Sequence, residues 1–565
     1  LTIEADERMG ANGETVDTLD EAALRTSLTT LKNTGQVEAL TICFINAYLN
    51  GAHEQRAKAV AAEIFTDIPI SISSDLVPEM QEYERTETTV VNSYVRPEVE
   101  RYVENLNRSL ITTMGEDLHL SILRSDGGLA SARASAESPV NLLMSGPAGG
   151  VSGAMHFCKK AGFNDILTFD MGGTSTDVAL IQNAKARVRR ETRVGDVTVR
   201  APSVDVRTVG AGGGSLAFVP ELTKALRVGP ESAGAQPGPA AYMKGGTEPT
   251  VCDANVVLGY LPSNVQLGGA MAIDKDAAVA AVKKVADAMD LTIEEAAEGI
   301  IKIANEAMFG ALRLVSVEQG FDPRDFALVG FGGAGPLHAN ALGILTQAWP
   351  TIIPPGPGVL CAYGDATTVV RDEASKTFVK LLINASAVEL STVLDELKNK
   401  ASATLITDGI ALSDQEVTYQ ADVRYTGQAF QLSIEFTLAE LQAQGLEVLK
   451  SQFDKQHTQL FTFALEEGHE IVMVRAIATA SSGELPTMPQ GSAANTLDEC
   501  KLADSQIYFE GQYHPTPIYD RNKMQTDLQI PGPAIVSEMD STTVILPGYH
   551  AKVDTVGNLL INPAK

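Results

Sequence analysis

Basic charge, paired cysteines and long apolar runs are what this chain has least of. Against 71 Asp and Glu stand only 43 Lys and Arg, a formal net charge of −28. A nucleic-acid partner or an anionic membrane calls for basic surface, so neither is expected. ATP stays open, because its phosphates can be met by Mg²⁺ and backbone N–H groups. The five cysteines (Cys43, Cys158, Cys252, Cys361 and Cys500) are dispersed, with no Cys-x-x-Cys pair. That usage predicts reduced thiols and a cytoplasmic protein. None of the eight His falls at metal-ligand spacing, and His53-Glu54 lacks the second His that a helical zinc motif requires. No apolar run reaches membrane-spanning length, and no internal repeat stands out. The chain has no Met start and no signal peptide; Leu1-Thr-Ile-Glu-Ala-Asp reads as the interior of a longer protein.

What is present is an ordinary globular composition, 44% hydrophobic and 20% charged, over 565 residues. That length exceeds one core, so about two to four domains are expected. The organising stretch is Ile166 to Ile181. Two apolar runs, Ile166–Phe169 and Val178–Ile181, read as short buried strands. Between them lie Asp170, Gly172, Gly173, Thr174, Ser175, Thr176 and Asp177. The glycine pair gives a tight turn and removes the Cβ atoms that would hold a ligand off the backbone. Backbone N–H groups and hydroxyls then face one point where a phosphate can sit, flanked by two carboxylates able to hold hydrated Mg²⁺. No Lys follows as in a Walker loop, and no helix follows as in a dinucleotide fingerprint. The plainer alternative is a bare hairpin, which needs neither two Asp nor three hydroxyls.

Around this stretch the pattern alternates strands and helices. Leu19–Lys32 and His53–Phe65 read as helices, and Ala39–Tyr48 and Ile68–Ile72 as buried parallel strands. Pro78 to Glu104 reads as a polar crossing between lobes, running into a helix after Pro97. Ser121–Gly128 is a strand into a turn, and Ser145–Val151 a glycine-rich turn opening a helix over Gly149–Ala161. Val204–Ser215 ends a strand in Gly212, Gly213 and Gly214, where a ligand or a mobile loop is the natural reason for so much bare backbone. Arg227–Pro239 reads as a long loop. Asp253 and Asn255 are either polar ligands or caps of a short helix. Thr292-Ile-Glu-Glu295 is a capping box for a helix reaching about Val317. Phe326–His338 is a strand, a turn through Gly332, Gly333, Ala334 and Gly335, and a helix with Pro336 in its first turn. That turn suits a flat ring or a phosphate, or simply a tightly packed helix. Together with a separate phosphate hairpin, it favours nucleotide binding. His338, just inside the helix, reads as a packed residue rather than a base. From about Thr377 glycine thins out, and helices Ala387–Lys400 and Leu438–Phe453 alternate with strands Val417–Tyr425 and Glu470–Ala478, as in a separate α+β domain. Residues 482–498 read as a linker, and Gly532–Gly548 as short strands and turns.

Several of these motifs, in order along the whole chain, resemble those of the large ATP-dependent subunits of the hydantoinase/5-oxoprolinase family. They are Glu82-Tyr-Glu-Arg85, Ser145-Gly-Pro-Ala-Gly-Gly150, Asp170-Met-Gly-Gly-Thr-Ser-Thr-Asp177, Gly210-Ala-Gly-Gly-Gly-Ser215, Gly229-Pro-Glu-Ser-Ala-Gly234, Phe331-Gly-Gly-Ala-Gly-Pro-Leu-His338 and Arg424-Tyr-Thr-Gly-Gln428. The resemblance implies an α/β protein with actin/sugar-kinase/Hsp70-like (ribonuclease H-like) ATPase lobes and a C-terminal α+β domain. The expected layout is the remainder of a first lobe over 1–95, an ATPase lobe over 96–376 and a last domain over 377–565. The family's own opening Asp-x-Gly-Gly-Thr-Phe-Thr-Asp hairpin does not occur in this chain, in line with a missing front segment. The implied reaction is phosphorylation of a cyclic amide by ATP, with ring opening in a second, B-type hydantoinase subunit, in a hetero-oligomer or homodimer. Asp170 and Asp177 would be the catalytic, Mg²⁺-holding pair. Gly172, Gly173, Thr174, Ser175 and Thr176 would meet the phosphates, and Gly332–Gly335 the adenosine. An ATP-dependent ketone carboxylase subunit and a nucleotide-gated scaffold without catalysis are the alternatives. The family often has Cys at the position of Ala241 and Thr at that of Cys252, so site assignments there do not carry over directly.

Overall fold

The computed structural model describes residues 1–115, 120–263, 272–480 and 496–564. It is an α/β protein whose chain contacts divide into two compact units, neither of which is one continuous segment. One comprises Leu1–Ser145, Val188–Ser203 and Thr368–Gly483; the other comprises Gly146–Arg187, Val204–Thr367 and Glu484–Lys565. The expected layout of three consecutive segments (1–95, 96–376 and 377–565) does not coincide with these units. Residues 377–565 contribute to both, since their apolar strands complete two different sheets.

The second unit carries the hairpin. Ile166–Met171 and Thr176–Gln182 are antiparallel strands, as expected, with Ile166 opposite Ile181 and Asp170 opposite Asp177. They lie within a mixed sheet of nine strands. Val206–Val209 pairs with the outer side of Thr176–Gln182, and Ala327–Phe331 runs parallel to Ile166–Met171 on the other. Thr351–Ile353 follows in parallel; the sheet then continues through three antiparallel strands from the C-terminal tail, Leu559–Pro563, Tyr549–Val553 and Gln529–Pro531. Leu167, Phe169, Val178 and Leu180 on one face and Ile166, Thr168, Ala179 and Ile181 on the other are all buried, so the central strands are covered on both faces. Ile293–Val315 is the expected amphipathic helix. Thr292 Oγ1 accepts from the Glu295 N–H, the Glu295 carboxylate accepts from the Thr292 N–H, and the face through Ile300, Ala304, Met308 and Leu312 is buried.

The first unit holds a six-stranded sheet in the order Leu432–Phe436, Gln415–Tyr425, His469–Ala480, Val370–Leu381, Leu129–Ser131, Ser121–Leu123. Its buried face packs Leu390, Leu394 and Leu397 of the Ala387–Thr407 helix against Ala421, Val423 and Val474. The outer acid–base residues of this sheet form a desolvated network. Arg475 makes two bonds to the Asp422 carboxylate, at 2.7 and 2.5 Å. Glu373 is met by Arg190 at 2.6 Å, Arg371 at 3.2 Å and Arg475 at 3.4 Å. Burial alone would raise the Glu373 pKa, but Arg190, Arg475 and Arg371 hold it down to about 2. A smaller parallel pair, Leu40–Ile42 with Ile70–Ile72, joins helices Glu21–Lys32 and Ala52–Ile64 around Leu28, Val60 and Ile72.

Several local readings change. Glu82–Met114 is one 33-residue helix with Pro97 inside it, not a polar crossing that becomes helical after Pro97, and it lies within the first unit. Proline removes one helical N–H, and the buried face of Arg85, Thr88, Thr89, Asn92 and Ser93 fixes the turn before it. The helix after Leu143 begins at Ser145, so Gly149 and Gly150 are inside it. A Cβ on Gly149 would lie 2.9 Å from the Cys361 carbonyl, and one on Gly150 2.7 Å from the Phe331 ring, so these glycines serve close packing. Ala39–Tyr48 yields only the three-residue strand Leu40–Ile42, since Phe44 is held by Glu54 and Arg85 instead of a ladder. Arg227–Ser232 is not loop but strand, paired with Ser215–Phe218. Leu438–Phe453 is split at Gly445, in the left-handed region with φ 61°, into Leu438–Gln444 and Glu447–Phe461. The expected linker lies outside the described residues up to 495, and Leu497–Cys500 is a helical turn. All five cysteines are free. Among the described residues no helix is long and apolar enough to cross a membrane.

Candidate functional site

The hairpin loop is four residues, Gly172 to Ser175, closed by the Gly172 N–H on the Ser175 carbonyl at 3.1 Å. The run after Val209 folds against it. Gly213 and Gly214 donate to the carbonyls of Gly172 and Gly173 at 2.9 and 2.6 Å. A Cβ on Gly212 would lie 2.6 Å from backbone atoms of Thr174 and Ser175, so glycine there is a condition of the contact. Thr176 belongs to the strand. Its hydroxyl is buried and donates to the Ala211 carbonyl at 2.5 Å, so that side chain anchors the two loops together and is not free for a ligand. The N–H groups of Gly173, Thr174 and Ser175 are bonded to nothing among the described residues.

The third glycine turn closes over the same strand ends. Gly332, at φ 81°, donates to the Pro357 carbonyl at 2.9 Å, and Ala334 donates to the Met171 carbonyl at 3.0 Å. Asp170 Oδ1 occupies the place a Gly332 side chain would need, 2.3 Å from that Cβ position. Gly335 opens the Gly335–Thr346 helix. The C-terminal tail buttresses this turn. Asp540 and Glu538 accept the N–H groups of Gly358 and Gly356 at 2.7 and 3.2 Å, and Arg521 holds Glu538 at 2.6 Å.

A cavity of about 350 Å³ opens at these loops. Gly172, Gly173, Gly213, Gly214, Gly333 and Ala334 line it. Added Cβ atoms at Gly173 and Gly333 would meet nothing within 4 Å, so the bare backbone faces open space. Asp170, Asp177, Thr174, Ser175, Gly212, Gly332 and Gly335 are not among the lining residues. Gly234, Pro239 and Leu337, from stretches the sequence marks as a loop and as motifs, add to the wall, whereas Tyr242, Leu261 and, from the tail, Asp540 and Thr542 were not singled out from the sequence. Cys252 and Asn255 complete it. Local pattern gives no signal for Asp540, which lies more than 300 residues from the hairpin.

The Asp253/Asn255 ambiguity resolves differently for the two residues. Asp253 is fully buried and caps: it accepts from Thr250 N at 3.0 Å, Thr250 Oγ1 at 2.7 Å and Ala241 N at 2.8 Å. It thereby pins the Ala240–Tyr242 turn to the Val251–Val257 helix. Asn255 instead reaches the cavity wall. Cys252, just before Asp253, is bonded to Tyr242, and burial pushes its thiol up to about 12. His338 is 1% exposed, bonded to Asn305 at 2.7 Å and to Asn255 at 3.3 Å, and burial pushes its imidazole down to about 4. It is a packed neutral residue, as expected.

The electrostatics single out the two Asp. They stand directly opposite each other across the hairpin. Burial raises the Asp170 pKa, a Cys361 thiol at 3.3 Å partly offsets it, and Asp177 raises it further. Burial also raises that of Asp177, against a Thr208 hydroxyl bond at 2.5 Å. Neither is ion-paired among the described residues. Two desolvated carboxylates without a cation are a donor set that fits a hard divalent ion. Among the described residues no group of three or more His, Cys, Asp or Glu comes together. An ion here would therefore keep water or phosphate oxygens in its shell, which is the habit of Mg²⁺.

Comparison with known proteins agrees with the motifs. Residues 85–374 match the family Hydantoinase/oxoprolinase, residues 380–560 the Hydantoinase/oxoprolinase C-terminal domain and residues 1–65 the Hydantoinase/oxoprolinase N-terminal region. The chain is 31% identical to caprolactamase subunit alpha of Pseudomonas jessenii, over 98% of this chain and 80% of that one. It is 29% identical to the acetophenone carboxylase gamma subunit of Aromatoleum aromaticum, over 99% of this chain and 78% of that one. The crystal structure of the ATP-dependent caprolactamase from Pseudomonas jessenii superposes with a TM-score of 0.86 at 31% identity, covering 99% of this chain and 82% of that one. With matching motifs, matching fold and relatives aligned along almost its whole length, the chain belongs to the hydantoinase/oxoprolinase family.

Proposed function

We propose that the chain is the ATP-dependent subunit of a cyclic amidohydrolase, acting on a hydantoin, 5-oxoproline or another lactam together with a partner subunit. The observation that carries this reading is the pair of opposed, unpaired carboxylates beside a glycine loop whose bare backbone opens into a cavity. The similarity to a caprolactamase alpha subunit supports both the substrate class and a second subunit. A lactam carbonyl is a poor electrophile. Transfer of the terminal phosphoryl group breaks its bond to the nucleotide and forms one to the amide oxygen, which opens the ring carbon to attack. Water then adds to that carbon, the ring C–N bond breaks as the nitrogen takes a proton, and the acyl phosphate so formed is hydrolysed to carboxylate and phosphate.

For phosphoryl transfer a protein mainly positions groups and neutralises charge. The free N–H groups of Gly173, Thr174 and Ser175 would donate to phosphate oxygens. Gly213 and Gly214, their own N–H groups spent on the hairpin, shape the floor. The Gly333–Ala334 turn with Leu337 would take the adenosine. Asp170 and Asp177 would hold Mg²⁺, which when bound offsets phosphate charge. In this reading the chain builds actin/sugar-kinase/Hsp70-like lobes, for which a strand–turn–strand grip at the edge of parallel strands is the supporting feature. A second reading, an ATP-dependent ketone carboxylase subunit, is supported by the acetophenone carboxylase relative.

The test is turnover of Mg-ATP by the full protein with its partner, over a panel of lactams, hydantoins and ketones with labelled bicarbonate. Ring opening without label incorporation is expected. Asp170→Ala should abolish ATP turnover while leaving the unfolding profile in place. Retained turnover would show that the hairpin is not the phosphate grip; incorporation of label would favour the carboxylase.

A further inference from the structure

The cavity wall contains a polar group that the phosphate loops do not explain. Asn255, on the Val251–Val257 helix, is 1% exposed and lines the cavity. The same cavity has apolar lining from Leu261, Leu337, Tyr242 and Pro239. Its amide nitrogen lies 3.1 Å from the Val251 carbonyl. A carbonyl only accepts, so this contact fixes which end of the amide is nitrogen. The same nitrogen lies 3.3 Å from His338 Nε2. With Asn255 donating, Nε2 must accept, so the neutral imidazole carries its proton on Nδ1 and gives it to Asn305 Oδ1 at 2.7 Å. Both amide hydrogens are then used. Asn255 Oδ1 is left buried with no partner among the described residues. A buried acceptor without a donor is costly, and a three-residue relay that holds it in one orientation is a deliberate arrangement rather than a loose end.

We infer that Asn255 is a specificity residue of the cavity: its Oδ1 takes a hydrogen bond from an N–H donor on the flat ring of the ligand, which under the nucleotide reading is the exocyclic amine of adenine. The inference rests on that reading of the site. The position agrees with it. Asn255 bonds to His338, three residues beyond Gly335, so it stands at the turn assigned to adenosine; Leu261, Leu337 and the Tyr242 ring supply apolar faces for a ring. A purine with a carbonyl at the same place would set acceptor against acceptor, a mismatch that binding sites built on hydrogen bonds reject strongly. His338 and Asn305 are positioning residues that act through Asn255.

The test compares Mg-ATP with Mg-inosine triphosphate, which has a carbonyl in place of the amine, by direct titration of the full protein. The wild type is expected to prefer ATP at least tenfold. Asn255→Ala and the space-filling Asn255→Leu should bring the ratio close to one, chiefly by weakening ATP while inosine triphosphate still binds. Retained binding of inosine triphosphate also shows that the variants fold. Equal affinities in the wild type, or a preference that survives both substitutions, would overturn the assignment. So would loss of both nucleotides in both variants, which would make Asn255 part of the framework. If the wild type bound neither nucleotide, the nucleotide reading itself would fall, and this inference with it.

Discussion

Gly173 and Gly212 sit in facing loops, and replacing each by alanine should separate ligand binding from folding. At Gly212 the new methyl would stand 2.6 Å from Thr174 N, Thr174 C and Ser175 N, all of them backbone. Backbone cannot swing aside as a flexible side chain can. The hairpin or the glycine run must move, and overpacking of this kind costs about 1–3 kcal/mol. At Gly173 the methyl would meet nothing within 4 Å, and its backbone is outside the left-handed region. Stability should be unchanged or improved by up to about 1 kcal/mol, because alanine restricts the unfolded chain. The same methyl would stand in the cavity that Gly173 lines. Displacing a ligand from a backbone it must touch costs a similar figure of about 1–3 kcal/mol, which is roughly a five- to 150-fold loss of Mg-ATP affinity. Urea unfolding and nucleotide titration on both variants read the two effects. Gly212→Ala should lower the unfolding midpoint, whereas Gly173→Ala should leave it in place and lose affinity. A Gly173→Ala protein that binds Mg-ATP as the wild type does would refute the cradle; one that unfolds as easily as Gly212→Ala would refute the packing argument.

Two further predictions concern buried titratable groups. His338, at about 4 against 6.5 for a free imidazole, is neutral when folded, and the unfolded chain takes up the extra proton. Its contribution is therefore present above 6.5 and is lost as the pH falls towards 4, on the order of 3 kcal/mol in all. The acid limb of unfolding free energy against pH should be shallower in His338→Gln, and an unchanged limb would show that the imidazole is accessible to protons in the fold. Arg475→Met leaves Asp422 buried and unpaired, so a loss of about 3–5 kcal/mol is expected in urea; a loss under 1 kcal/mol would mean that water reaches the pair.

Much of the site was legible because it is built from local pattern. Ile166–Phe169 and Val178–Ile181 are apolar runs that only a buried strand pair accommodates, and the Gly172–Gly173 pair between them supplies the turn. The Thr292 capping box and the Phe331–His338 strand–turn–helix were equally plain, since caps and glycine turns are decided within four or five residues. What failed was also local. Pro97 looked like a helix boundary, because proline forbids one bond; that it does not forbid a helix held along its length is a tertiary fact. Gly149 and Gly150 read as the turn that opens the helix, whereas they lie inside it, where the Cys361 carbonyl and the Phe331 ring leave no room for a Cβ.

The sequence by itself determined the family, the opposed pair Asp170 and Asp177, and the three glycine turns, since each is a short-range pattern with few physical solutions. The tertiary structure alone decided that Thr176 ties loops together, that Asp253 caps while Asn255 faces the cavity, and that a tail carrying Asp540 braces the Gly332 turn. It also decided that residues beyond 377 complete two different sheets. Those outcomes depend on which distant strand supplies the neighbour, and burial, hydrogen-bond partners and charge compensation are properties of neighbours in space rather than along the chain.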